Sequence, residues 1–253
     1  MYHSTEAPIL KHEELPPITI CMPTWNRRRF IPLILLNINA MDYPKKKIEL
    51  CIMDDHPTNP LFSNKQEVSQ FQIAIYPVKL NYKYDPSRHL TIGEKRNKLV
   101  KMASNKICAN MDDDDIYMPS YLRYGVSILK NYKVGIVGSP QMLFVYPNAD
   151  YMLTAINCPS KRQNHEATHI YTKKHFNSMR GYAKNSQGEG AKMIDYNEKN
   201  CRCLDVRMCM ICVCHDSNTI DKEDFKTTGA EIPNYEMDDL FKKILSEILS
   251  TDK

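Results

Sequence analysis

The chain reads as an α/β protein: a mainly parallel sheet with helices on both faces and a small helix at the C-terminal end. Two observations predict this. Short apolar runs of strand length alternate with segments of helical periodicity. Three of those runs also deliver the chain into unusual polar clusters, and a parallel sheet would gather such strand ends at one edge.

Ile18-Thr19-Ile20-Cys21-Met22 is an apolar run closed by Pro23 and reads as a buried strand. Arg28 to Met41 has apolar residues at 30, 33, 34, 38 and 41, a helical spacing that tolerates Pro32 in its first turn. Ile48 to Met53 is a second strand running into Asp54-Asp55, and the alternation of Gln72 to Leu80 predicts a third. Glu94 to Ser104 is a helix with Leu99, Val100 and Ala103 inward. Lys106 to Met111 is a strand that ends in four aspartates, Asp112 to Asp115. Val134 to Gly138 and Gln141 to Tyr146 are two more strands.

The region 155–200 is polar, irregular and lysine-rich, with glycines at 181, 188 and 190, the composition of an active-site loop region. Leu204 to Cys214 returns to strand character. From Asn234 onward, Leu240, Phe241, Ile244, Leu245, Ile248 and Leu249 share one helix face, which predicts packing on the domain or pairing with a second copy of the chain. The polar face of that helix is not basic, which argues against a membrane-surface role. The expected organisation is an N-terminal extension over 1–17, one α/β domain over 18–226 and a C-terminal amphipathic helix over 227–253.

Composition narrows the function classes. With 253 residues, 42% hydrophobic and 25% charged, the chain is an ordinary globular protein, and a net charge of +4 gives no reason to expect a nucleic-acid partner. No apolar run approaches the roughly 18 residues of a membrane span, and the polar N-terminus resembles neither a signal nor a transit peptide. Nine cysteines cannot all pair, and Cys21, Cys51 and Cys108 lie inside strands, as in a reduced, cytoplasmic protein.

The polar strand ends are Thr24-Trp25-Asn26, Asp54-Asp55 and Asp112 to Asp115. Consecutive carboxylates repel one another and call for a cation at a half-buried strand end. Their hard oxygens suit Mg²⁺ or Mn²⁺, ions often shared with substrate phosphates. The competing reading is a solvated acidic turn.

Pro23-Thr24-Trp25-Asn26-Arg27, Ile48 to Asp55, Gly93-Glu94-Lys95-Arg96-Asn97 and Met111 to Asp115 together resemble, in order and spacing, the motifs of family 2 glycosyltransferases. Versions encoded by large DNA viruses look similar too. The resemblance spans residues 18–220 and implies a GT-A, Rossmann-like fold. It also implies an inverting, metal-dependent enzyme that moves a sugar from a nucleoside-diphosphate sugar to an acceptor hydroxyl on a glycan, protein or lipid.

The resemblance makes Trp25 the aromatic that stacks on the donor's nucleobase. Asp54 and Asp55 become the acidic pair at base or ribose, with one of the two touching the ligand. It places Arg96 beside the diphosphate. Lys95 either adds charge there or belongs to a solvated basic face. Asp112 and Asp114 align with a DXD motif, with Asp114 on Mn²⁺ (or Mg²⁺) and Asp112 at ribose or metal. Thr24, Asn26 and Asp113 complete the expected donor contacts, and Asp115 supports the ligands from behind. His215, after the last predicted strand, is the expected further metal ligand, and the other seven histidines have no comparable setting. Glu189, between Gly188 and Gly190, is the expected general base, although Gly190 stands where the family has a second acid. Glu166 and Asp195 are its rivals.

Two readings from other classes compete. Cys201, Cys203, Cys209, Cys212, Cys214 and His215 could form a zinc-binding module on an inactive glycosyltransferase-like fold, although their spacing departs from a zinc ribbon. A sugar-1-phosphate nucleotidyltransferase would also combine such a fold with acidic metal ligands, but the segment after the first strand, Thr24 to Arg29, is basic without the glycines that class needs.

Overall fold

The computed structural model describes residues 5–158, 164–194, 200–218, 222–232 and 237–250. Along the chain these form β1 (Ile18–Thr24), α1 (Ile31–Ala40), β2 (Ile48–Asp54), α2 (Lys65–Ala74), β3 (Lys79–Tyr84), α3 (Ile92–Met102), β4 (Ile107–Asn110), β5 (Ile116–Tyr117) and α4 (Tyr121–Asn131). There follow β6 (Ile136–Gly138), β7 (Gln141–Tyr146), β8 (Met152–Asn157), β9 (Ile170–Thr172), α5 (Lys173–Ser178), β10 (Cys201–Cys203), β11 (Met210–Val213), α6 (Asp224–Thr228), β12 (Ala230–Glu231) and α7 (Asp239–Leu249).

A seven-stranded sheet runs in the order β10-β6-β9-β4-β1-β2-β3. Its β1–β2, β2–β3, β1–β4 and β6–β10 pairs are parallel, and only β9 runs against its neighbours β4 and β6. The strand period of two sorts the core into layers. Ile18, Ile20 and Met22 face a cluster with Ile34 and Ile38 of α1, Phe71 of α2 and Leu122 of α4. Cys21, Cys51 and Cys108 face the opposite cluster, with Leu99 and Val100 of α3 and Phe176 of α5. The thiols therefore act as small apolar residues, and helices cover both faces as expected.

A second sheet, β12-β8-β7-β11-β5, is largely antiparallel. It corrects the expectation that Gln141 to Tyr146 joins the main sheet. Three other local readings change. Gln72 to Leu80 is strand only at Lys79 and Leu80, the start of β3: Asn64 caps α2 by accepting from the Glu67 N–H at 3.0 Å, the helix runs to Ala74, and Phe71 and Ile75 are buried while Ile73 is exposed. Residues four apart satisfy both the strand and the helix period, so the alternation misled. Within Leu204 to Cys214 only Met210–Val213 is a strand, because Asp205 caps a turn by accepting from the Arg207 N–H at 3.0 Å. The stretch 155–200 contains β9, an interior strand of the main sheet, although at three residues it is too short to show a period.

Both ends of the chain pack on this body. Residues before β1 run along α4: the Leu10 N–H donates to Ser127 Oγ at 3.0 Å, and Leu15 is buried in the core. At the other end Leu245 and Ile248 of α7 join Phe30, Leu33, Leu143 and Leu153 in one apolar cluster. Leu245→Ala should therefore cost about 2–5 kcal/mol in denaturant unfolding, the usual range for an apolar truncation in a core. Leu240→Ala, at a position 51% exposed on the same helix, should change stability by less than about 0.5 kcal/mol. Equal effects would mean that α7 does not use this face against the domain.

Candidate active site

The site forms where β1, β2 and β4 end side by side, with Thr24 opposite Asp54 in register and Cys21 opposite Asn110. Beyond β4 the chain turns through Asp112 to Asp115, and two buried tyrosines hold that turn. Tyr117 Oη accepts from the Asp112 N–H at 2.8 Å, and Tyr121 Oη donates to the Asn110 carbonyl at 2.8 Å.

Opposite the aspartates stands the first turn of α3. Thr91 and Glu94 form a capping box there, the hydroxyl accepting from the Glu94 N–H at 3.2 Å and the carboxylate from the Thr91 N–H at 3.1 Å. This start delivers Lys95 and Arg96 inward, both buried, so Lys95 belongs to no solvated face. Lys95 Nζ pairs with Asp55 and donates to the Thr24 carbonyl at 2.8 Å. Arg96 is the hub of the site. Its Nη2 meets Asp112 Oδ1 at 3.0 Å, and its Nε meets Glu189 Oε1 at 3.0 Å.

The aspartates are neutralised from several segments. Arg27 reaches Asp114 Oδ2 at 3.2 Å and Asp113 Oδ1 at 3.7 Å, and anchors itself on the Ser217 carbonyl at 2.6 Å. His215 Nε2 lies 3.2 Å from the same Asp114 oxygen. Burial alone would raise the Asp114 pKa, but His215, Arg27 and Lys222 together hold its carboxyl well below the usual range. Burial, reinforced by the Asp114 charge, pushes the Asp113 and Asp115 carboxyls upward. Asp115 Oδ1 accepts from the Val213 N–H at 2.9 Å, which ties the acidic turn to the second sheet.

Two compartments meet at Asp112 and Asp114. The larger, about 320 Å³, is lined by Thr24, Trp25, His89, Lys95 and Asp113 as well. Trp25 is 41% exposed, with its ring against His56 at 4.6 Å and His89 at 5.2 Å between centroids. The smaller, about 140 Å³, contains Arg96, Glu166 and Glu189. There the Gly190 N–H donates to Glu166 Oε1 at 3.2 Å. Burial, together with the Glu189 charge, pushes the Glu166 carboxyl up to about 7.

Of the residues singled out from sequence, Thr24, Trp25, Arg96, Asp112, Asp113, Asp114 and Glu189 line these compartments, and His215 joins them through Asp114. Asp54 is placed elsewhere. Its oxygens accept from the His56 N–H at 3.1 Å, the Leu61 N–H at 2.7 Å and Tyr82 Oη at 2.8 Å, so it organises the loop after β2. Asp55 is buried beneath the cleft, where it accepts from the Leu90 N–H at 2.5 Å. Asn26 sits at φ 57° and takes a hydrogen bond from Asn59 Nδ2 at 2.7 Å, shaping the turn after β1. Asp195 lies outside the described residues.

Arg27, His56, His89 and Lys222 carried no role in the sequence reading. Arg27 and His56 directly follow quoted strand ends, and that adjacency was the available signal. His89 and Lys222 reach the site only through the fold. The zinc alternative finds its cysteines divided, with Cys201 on β10 of the main sheet and Cys212 on β11 of the second. Among the described residues no group of three or more His, Cys, Asp or Glu side chains is placed to hold a metal ion by itself, and no helix is long and apolar enough to cross a membrane.

Comparison with known proteins agrees with this architecture. Residues 19–187 match the domain described as glycosyl transferase family 2. Glycosyltransferase AglE of Haloferax volcanii is 27% identical over 140 residues, 53% of this chain and 42% of that relative, so the chain spans less than half of its length. The mannosyltransferase PcManGT from Pyrobaculum calidifontis, solved with GDP-Man and Mn²⁺, has a TM-score of 0.62 at 17% identity, covering 92% of this chain and 68% of its own. TarS 1-349 from S. aureus, solved with UDP-GlcNAc, has a TM-score of 0.59 at 19% identity, covering 92% and 71%. These two likenesses establish a GT-A fold, and the match over more than half of the chain places it in glycosyl transferase family 2.

Proposed function

We propose that the chain transfers a sugar from a nucleoside-diphosphate sugar to an acceptor hydroxyl, with metal assistance and inversion at the anomeric carbon. The observation that carries this reading is the position of Arg96, at 3.0 Å from both Asp112 and Glu189. One cation thus joins the carboxylates of a donor compartment to a carboxylate of an acceptor compartment.

Trp25, flanked by His56 and His89, offers the nucleobase a π-face, and Asp112 and Asp113 are the expected ribose contacts. The residues present fit a divalent cation. Asp114 and His215 already converge to 3.2 Å, Asp112 lines the same cleft, and carboxylate with imidazole suits Mn²⁺, or Mg²⁺ with more water. An open, incomplete protein ligand set is the arrangement that leaves room for diphosphate oxygens. Bound there, the ion would supply Lewis-acid neutralisation of the leaving diphosphate.

The chain's own groups supply the rest. Arg96 adds a fixed positive charge beside the leaving group, pre-oriented by its two carboxylate partners. Lys95 is already committed to Asp55 and Thr24, so it holds the cleft floor. Glu189 takes the proton from the acceptor hydroxyl as it attacks opposite the leaving group. A single base acting on the attacking hydroxyl gives inversion, by the stereochemical logic of glycoside hydrolysis. Glu166 holds the loop of that base through the Gly190 N–H. The buried thiols Cys21, Cys51 and Cys108 suit a reducing compartment, and we place the enzyme in the cytoplasm.

Thermal unfolding with UDP, GDP, dTDP and CDP, each with and without Mn²⁺, tests the donor reading. A nucleotide at about a hundred times its dissociation constant adds roughly 2.7 kcal/mol of stability. Asp114→Asn should abolish the Mn²⁺-dependent part of that gain, and a gain equal to wild type would remove Asp114 from the metal site. Glu189→Gln should retain nucleotide stabilisation and lose about 10²–10⁴ in turnover. Full activity in that variant would move the base to Glu166 or Asp195.

Glu166 makes a separate prediction about pH. Its folded pKa, raised to about 7 by burial, exceeds the unfolded value, so the fold favours the protonated acid. Its contribution is therefore full below about pH 4.5 and is lost as pH rises through about 7. Glu166→Gln cannot ionise, so its melting temperature should gain on wild type between pH 5 and pH 8. A constant difference across that range would show that Glu166 does not titrate there.

A further inference from the structure

A third cavity, about 570 Å³, opens directly from the compartment of Glu189 and shares with it His165, Glu166, Gln187, Gly188 and Lys222. Its chemistry differs from that of the other two. Away from the shared end Met142 and Phe144 of β7, Ile156 of β8 and Phe225 of α6 line it together with Asn157, Cys158, Asn164, Ala191 and Thr228. Met142 and Phe144 are two residues apart on one strand face, and Ile156 is the cross-strand partner of Met142. Phe225 stacks on Phe144 at 5.0 Å with 21° between planes. Met142, Ile156 and Phe225 pack on the core yet stay partly exposed, so they present an apolar floor to whatever enters.

We propose that this groove receives the aliphatic portion of the acceptor, so that the substrate is an amphiphile: a hydroxyl-bearing head at Glu189 and an alkyl chain along Met142, Phe144, Ile156 and Phe225. The assignment rests on the transferase reading above and names its acceptor class. Three features support it. The groove shares five lining residues with the compartment in which the attacking hydroxyl must lie, so one amphiphile could occupy both. Met142, Phe144, Ile156 and Phe225 form one contiguous apolar patch in it, along which the hydroxyls of a purely glycan acceptor would go unpaired. An extended peptide would need unpaired strand edges, but β7 is interior, paired with β8 on one side and β11 on the other. A flexible chain of methylenes needs neither hydroxyl partners nor a free ladder.

The test titrates the full-length chain with methyl, hexyl and octyl β-D-glucoside below micellar concentrations, by calorimetry, alongside UDP or GDP with Mn²⁺. Affinity should rise from methyl to octyl by up to about fourfold per buried methylene. Ile156→Asn and Met142→Gln should each weaken octyl glucoside at least tenfold and leave the Mn²⁺–nucleotide stabilisation of wild type, which also shows that the variants fold. Affinity independent of chain length, or octyl binding unchanged in both variants, would overturn the proposal. A chain-length slope in a protein that no nucleotide stabilises would instead overturn the transferase reading, and with it the acceptor role of the groove.

Discussion

Everything at the candidate site follows from burying three of four adjacent carboxylates just beyond β4. Asp113, Asp114 and Asp115 are all buried, and unpaired ionised carboxylates cannot stay in such a place. The structure answers with cations from separate parts of the chain, Arg27 after β1, Arg96 on α3 and Lys222 before α6, and with His215 after β11 beside Asp114. Each cation brings its own element to the end of the main sheet. The second sheet is drawn to the acidic turn by the same logic, through the Val213 N–H on Asp115. Charge compensation is thus the means by which two sheets become one site.

The site has two compartments and an adjoining groove. Arg96 lines only the compartment of Glu166 and Glu189, where it bridges Asp112 and Glu189, while Asp112 and Asp114 line both compartments. Beyond Glu166 the polar lining gives way to the side chains of β7, β8 and α6. On the proposed reading the donor, the attacking hydroxyl and the alkyl chain would lie in order of falling polarity, each beside a wall of matching chemistry.

The local elements most legible in the sequence were those whose period was unambiguous. β1, β2, β4 and α3 were read within a residue or two, because their apolar patterns and the Thr91-to-Glu94 cap are properties of contiguous residues. The strand expected over Gln72 to Leu80 was set too early, taking in the end of α2 and only the first two residues of β3, and β9 was missed because three residues carry no period. Among the candidate-site residues, Trp25 and the run Asp112 to Asp115 stood out because they come after strands, whereas Arg96 was named only through the family resemblance. His89 and Lys222 lie in loops without such markers.

The sequence by itself determined that β1, β2 and β4 are strands, which polar clusters follow them, and that parallel order would collect those clusters at one edge. These follow from nearest-neighbour chemistry: side-chain period, capping and the repulsion of adjacent aspartates. Only the tertiary structure decided how the charges are shared. Asp54 spends its oxygens on two backbone N–H groups and Tyr82, Lys95 is locked beneath the cleft, and Arg96 meets a carboxylate 93 residues away. The reason is physical: a carboxylate's partners are set by which loops the sheet order brings within a few ångströms. That distance is a property of topology, and no local pattern of residues encodes it.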